Sequence, residues 1–126
     1  MVQGINISDA ELEVMRILWR EEEPVSFASI RAELSKSKGW EKSTIATLLR
    51  RLRDKGAVSS EEARLRFYSP IITSEEFRHN EEQSLIDRLY EGSAKNLVAA
   101  LCNRGDLTES DIEELRAHFK MRGEGR

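Results

Sequence analysis

The stretch KGWEKSTIATLLRRLRDKGAV, Lys38 to Val58, decides the fold. Within it Ile45, Leu48, Leu49 and Leu52 recur at spacings of three and four, the stripe of a helix predicted from Ser43 to Lys55. Gly56 stands where a left-handed residue ends such a helix. The opposite face carries Thr44, Thr47, Arg50 and Arg51. Upstream, Ser8 and Glu11 have the spacing of a capping box, with Ile7 and Leu12 at the two staple positions. They open a helix predicted from Asp9 to Glu22, with Leu12, Met15, Leu18 and Trp19 at helical spacing, closed by the acidic run Glu21 to Glu23 and Pro24. A shorter helix follows Ser26, with Phe27, Ile30 and Leu34 on one face, and stops in the polar stretch Ser35 to Gly39. After Gly56 the period shifts toward two. Ala57 to Ser59 lead to a charged tip at Glu61 to Arg64, and Leu65 to Ser69 return to Pro70, a hairpin of two short strands. Three helices and a hairpin in that order make a winged helix-turn-helix, whose third helix enters a DNA major groove.

From Thr73 the pattern is helical again. Phe77, Leu85, Ile86, Leu89 and Tyr90 run to Gly92; Leu97, Val98 and Leu101 follow a Ser93 cap; Thr108 and Asp111 form a second capping box ahead of Ile112, Leu115 and Phe119. A unit of roughly 55 residues buries too little surface to stand alone as a monomer. A partner chain is expected to cover Leu85, Leu89, Leu97, Leu101, Ile112, Leu115 and Phe119. The expected architecture is mainly α with a small β-hairpin: a winged helix-turn-helix over residues 1–72, a three-helix dimerisation region over 73–122, and a frayed tail at 123–126.

The chain of 126 residues is 39% hydrophobic and 34% charged, enough for one modest core, and its net charge is −3. An acidic total argues against a nucleic-acid partner until the charge is divided by segment. Lys36 to Lys55 holds seven basic residues against Glu41 and Asp54, a local excess of five on the turn and the reading helix. Phosphate neutralisation depends on such local clusters rather than on the chain average. Arg64 and Arg66, near the hairpin tip, are placed to touch an adjacent backbone or minor groove, although arginine on a strand edge serves equally to guard against aggregation. The start MVQGINISDA lacks the basic residues and apolar run of a secretory signal, and no stretch has the roughly 20 apolar residues of a membrane span. A cytoplasmic protein without membrane insertion is expected. The inventory for catalysis is thin: His79 and His118 fall on separate helices, no metal-binding or phosphate-cradling motif occurs, and the paired carboxylates suit helix starts and solvated faces. Neither an enzyme nor a bound cofactor or metal is expected. A protein-interaction module built on the same fold is the remaining alternative; it calls for exposed apolar residues on the third helix, where this sequence has Thr and Arg.

ISDAELEVMRILW at Ile7 to Trp19, the Lys38 to Val58 stretch, FYSPIIT at Phe67 to Thr73, and the later RLYEGSAKNLVAAL and LTESDIEELR together resemble the penicillinase-repressor family, its BlaI/MecI branch more than its copper-responsive one. The likeness runs from about Ile5 to Phe119. It implies a bacterial winged-helix repressor that dimerises through its C-terminal helices and blocks transcription from a palindromic operator until a signal releases it. Carried over by position, it makes Lys42, Ser43, Thr44, Thr47 and Arg51 the DNA contacts. Arg50 falls at a position variable in the family and suited to tuning operator choice, and Trp40 packs the turn. In beta-lactam-responsive members a membrane sensor triggers proteolysis at an Asn-Phe pair, where this chain has Ala100 and Leu101. Repressors of other stress or metal responses, without cleavage, are the alternative within the family. Copper-responsive members carry paired Cys-x-Cys motifs that soft Cu(I) requires. Cys102, the single cysteine, cannot replace four thiolates, and is expected to be a buried apolar residue.

Overall fold

The computed structural model describes residues 5–124. Its elements run α1 (Asp9–Arg20), β1 (Val25–Ser26), α2 (Phe27–Lys38), α3 (Lys42–Asp54), β2 (Val58–Glu62), β3 (Arg66–Pro70), α4 (Ser74–Tyr90), α5 (Ala94–Arg104) and α6 (Glu109–Glu124). The architecture is mostly helical with a small antiparallel sheet, the winged-helix order read from the sequence. Contacts divide the chain between Asn80 and Glu81 into a head and a second unit. That division lies within α4, later than the boundary expected at residue 72, because the first turns of α4 pack into the head through Phe77.

In the head, α1, α2 and α3 surround a core that includes Val14, Met15, Leu18, Ile30, Ile45, Leu49 and Leu52, all at most 1% exposed. The capping box is complete: Ser8 Oγ accepts from the Glu11 N–H at 3.2 Å, and the Ser8 N–H donates to Glu11 Oε1 at 2.8 Å. α1 stops at Arg20, two residues before the expected end. Glu21 adopts an extended conformation there, and three successive glutamates are unfavourable at the negative end of a helix dipole. The sheet has three strands in the order β1-β3-β2, one more than the expected hairpin. Val25 and Ser26 pair with Tyr68 and Phe67, covering the free edge of β3, and the buried Val25 anchors that short strand.

The junction of α3 with β2 is tightly specified. Gly56, at φ +81°, donates to the Arg53 carbonyl at 3.0 Å, and the Ala57 N–H donates to the Leu52 carbonyl at 2.9 Å. This is the paired hydrogen bonding of a Schellman motif. Ala57 is fully buried, and its carbonyl accepts from the Ile71 N–H at 2.8 Å, so the start of β2 is also tied to the chain leaving β3. Trp19 closes the other side. Its Nε1–H donates to the Ile72 carbonyl at 2.9 Å, and its ring lies 5.5 Å from that of Phe77. The Thr73 N–H donates to Glu76 Oε1, and the Glu76 N–H to Thr73 Oγ1, a capping box that starts α4.

Glu11 is 1% exposed, and Lys55 reaches it from the end of α3 with Nζ 2.6 Å from Oε1 and 2.7 Å from the Asn6 carbonyl. Burial pushes the Glu11 carboxyl upward, but the Lys55 ammonium and the Ser8 donors outweigh it and hold the group below its ordinary value of 4.5. A depressed carboxyl stabilises the fold above its unfolded pKa, and that contribution disappears as pH falls through the folded value. Glu11→Gln keeps the cap acceptor and removes the charge. It should cost about 1–2 kcal/mol at neutral pH. Urea titrations at pH 7 and pH 3 check this: the gap between the two proteins should narrow at the lower pH, and an equal gap at both contradicts the assignment.

In the second unit, the rest of α4 is followed by α5 and α6. The Ser93 Oγ caps α5, and Thr108 with Asp111 forms the expected box at the start of α6, at 2.9 and 3.0 Å. None of residues 81–122 is buried. α6 continues through Glu124, two residues into the stretch expected to be frayed, and residues 125–126 of that stretch lie outside the described residues. Among the described residues, no helix is long and apolar enough to cross a membrane.

Candidate nucleic-acid interface

The inward stripe of α3 is Ile45, Leu48, Leu49 and Leu52, all buried. At 100° per residue this turns Ser43, Thr47 and Arg50 directly outward, with Ala46 and Arg53 on one flank and Thr44 and Arg51 on the other. Lys42, Ser43, Thr44, Arg50 and Arg51 are exposed and Thr47 is half-buried. Lys42 is the first helical residue, so the helix starts one residue earlier than expected.

Between α3, the start of α2 and the wing formed by β2 and β3 lies a cleft of about 610 Å³. It brings together four of the predicted contact residues, Thr47, Arg50, Arg64 and Arg66, over an apolar floor that includes Phe27, Ala46 and Leu49. A second depression beside it holds Lys42 and Ser43 with Trp40, which packs partly buried against the core as expected. Thr44 and Arg51 line neither; they occupy the far flank of the helix.

The two wing arginines differ. Arg66 pairs with Glu62 across the hairpin, whereas Arg64 makes no ion pair among the described residues. Leu65 between them is 58% exposed at the tip. Arg53 was missed by the sequence reading. It lines the cleft and donates to Ser60 Oγ at 3.4 Å, linking the last turn of α3 to β2. Its position three residues beyond Arg50 is the signal that could have found it.

The predicted seam residues are among the apolar groups that the second unit leaves open, as are Val98 and Met121, which the prediction did not include. Leu85, Leu97, Leu101 and Ile112 are half-buried, and Leu89, Leu115 and Phe119 are exposed, Phe119 by 78%. Ile112, Leu115 and Phe119 share a groove of about 780 Å³ with Val98. Ala100 and Leu101, the expected cleavage position, are half-buried within α5. Cys102 corrects an expectation: it is exposed, not buried. The half-buried stripe of α5 runs through Leu97, Ala100 and Leu101, and Cys102 falls one step off it, on the flank of the exposed Val98. His79 and His118 are both exposed, and the described residues hold no group of three or more His, Cys, Asp or Glu able to close on a metal.

Comparison with known families places this arrangement. The family model described as Penicillinase repressor matches residues 7–120, nearly the whole chain. The chain belongs to the penicillinase repressor family. It is 34% identical over 110 residues to the penicillinase repressor of Bacillus licheniformis, covering 86% of this chain and 85% of that repressor. It is 32% identical to the methicillin resistance regulatory protein MecI of Staphylococcus aureus strain N315, covering 87% of this chain and 89% of MecI. Among solved structures, the monomeric form of Bacillus licheniformis BlaI in complex with the blaP half-operator superposes with a TM-score of 0.51 at 40% identity, covering 58% of this chain and 90% of that one. The part of this penicillinase repressor family member that the structure matches is about the size of the head.

Proposed function

We propose that this chain is a homodimeric transcriptional repressor that binds a palindromic double-stranded operator through its winged-helix heads. The observation that carries this reading is the outward face of α3, polar and basic from Lys42 to Arg51, set beside a wing bearing Arg64 and Arg66. The monomeric form of Bacillus licheniformis BlaI was solved in complex with the blaP half-operator, which supports the same use of this chain. In a dimer, two copies of α3 would enter successive major grooves roughly 34 Å apart. Lys42 and Arg51 would hold phosphates and set register, while Ser43, Thr44, Thr47 and Arg50 would meet base edges or the adjacent sugars. On its outward face α3 itself carries no apolar side chain larger than that of Ala46, so the helix gives a protein-interaction partner no apolar anchor.

The dimer is built from the second unit, where Leu85, Leu89, Leu97, Leu101, Ile112, Leu115 and Phe119 supply the apolar surface for a second copy. We place the repressor in a beta-lactam-type response in the cytoplasm, answering to a membrane sensor-protease that acts on it indirectly. Release by cutting at Ala100-Leu101 would first require a local opening of α5, since a protease reads extended backbone. The departure from Asn-Phe implies a protease with a different preference.

Arg51→Ala tests the phosphate assignment. Binding to operator and to random duplex should weaken together, and the dependence of log affinity on log salt should flatten by about 0.9 per bound protomer. Footprinting on the region upstream of the chain's own gene, across a salt series, measures both. An unaltered salt slope removes Arg51 from the interface, and the absence of any protected region in wild type removes the operator reading.

A further inference from the structure

We propose that α2, through Arg31 and Lys36, is a second phosphate-binding arm beside the reading helix. The proposal rests on the DNA-binding reading above and extends it to a helix that reading does not use. The four ionic side chains of α2 differ in whether the fold supplies them a partner. Glu33 is held by Arg20 of α1 through contacts of 2.6 and 2.9 Å, and Lys38 lies 3.8 Å from Glu13, also of α1. Both are paired within the fold. Arg31 and Lys36 are exposed and make no ion pair among the described residues.

These unpaired charges continue the interface already described. A shallow depression between α2 and the start of α3 is lined by Arg31, Lys36 and Lys42, and it shares Phe27 and Ala28 with the cleft under the wing. The neighbouring depression around Trp40 shares Arg31, Ser35 and Lys42 with it, and Ala46 with the cleft. Together the three form one concave track from the wing across α3 to α2. Seven basic side chains line it, of which Arg66 is paired with Glu62, and Glu41 is the single carboxylate among the lining residues. A basic, concave, carboxylate-poor track matches the chemistry of a polyanionic backbone. Its small residues, Ala28, Ala46 and Ser35, leave room for a strand to approach.

The test compares three full-length proteins: wild type, the double variant Arg31→Ala/Lys36→Ala, and Lys38→Ala, which removes from the same helix a charge that Glu13 already pairs. Each is titrated with a duplex from upstream of its own gene and with a random duplex of equal length, across a salt series. Loss of two phosphate contacts should flatten the slope of log affinity against log salt by about 1.8 per bound protomer. With binding near 1 M salt unchanged, that slope corresponds to roughly 60-fold weaker binding at about 0.1 M, for both duplexes alike. Lys38→Ala should keep the wild-type slope. Thermal unfolding of the double variant should match wild type, because both side chains are exposed; Arg31→Gln/Lys36→Gln, which keeps more of the side-chain bulk, should reproduce its slope. Wild type that binds with the same slope as the double variant overturns this proposal alone. Wild type that binds neither duplex overturns the DNA-binding reading, and this proposal with it.

Discussion

Leu115→Glu combined with Phe119→Glu should convert the repressor to a folded monomer and lower its affinity for a full palindromic operator by about 100-fold or more. The side chains are 48% and 78% exposed, so each protomer loses little internal packing when they change. In a dimer the same positions would face a second copy, where four new carboxylates would have to lose water and sit against one another. A surface that depends on apolar contact does not survive that exchange. Once the seam is lost, each head must find its half-site independently, and the multiplication that comes from linking two binding events disappears. Binding to an isolated half-operator should be unaffected, because both substitutions lie on α6 and the proposed DNA contacts lie on α3 and the wing. Sedimentation velocity at micromolar concentration together with titration of half and full operators reads both effects. A dimer that persists in the double variant places the seam elsewhere.

Trp19→Ala should strongly destabilise the head, costing about 3 kcal/mol. Trp19 secures two things at once: its ring packs beside Phe77 of α4, and its Nε1–H satisfies the carbonyl of Ile72 just beyond β3. Alanine leaves a cavity and an acceptor without its partner. Trp19→Phe separates the two contributions, since it retains an aromatic ring and loses only the donor, for an expected cost of about 1–2 kcal/mol. Urea unfolding, followed through the fluorescence of the remaining Trp40 at one fixed protein concentration, gives both values. Equal costs for the two variants would mean that the hydrogen bond, and not the ring, carries the effect.

What the sequence made legible was local. The capping boxes at Ser8/Glu11 and Thr108/Asp111, the apolar stripe of α3 and the left-handed Gly56 each depend on residues within a few positions of one another, and each stands where it was expected. What was not legible was pairing at a distance. Glu11 is separated from Lys55 by 44 positions and Trp19 from Ile72 by 53, and nothing in either neighbourhood identifies the partner. The strand β1 was hidden for a similar reason: two residues carry no period, and only the open edge of β3 gives them a role. The charge count was legible in amount and not in availability. Of the seven basic residues from Lys36 to Lys55, Lys38 and Lys55 meet carboxylates of α1, while Arg31, just outside that window, adds to the track that α2 and α3 share. Cys102 is exposed although free cysteine is ordinarily a buried apolar residue, because it stands 100° beyond Leu101 on α5, off the half-buried stripe.

The Schellman junction at Gly56 has a mechanical meaning for recognition. The last turn of α3 passes into β2 through the buried Ala57, whose carbonyl is bonded to the chain emerging from β3, while Arg53 reaches Ser60 alongside. No slack separates helix from wing, so the head is a gauge of fixed opening. On the DNA-binding reading, the duplex must make up any mismatch between the groove that receives α3 and the one beneath Arg64. Base steps between those two grooves would then be selected for how readily they bend, at positions that no side chain touches.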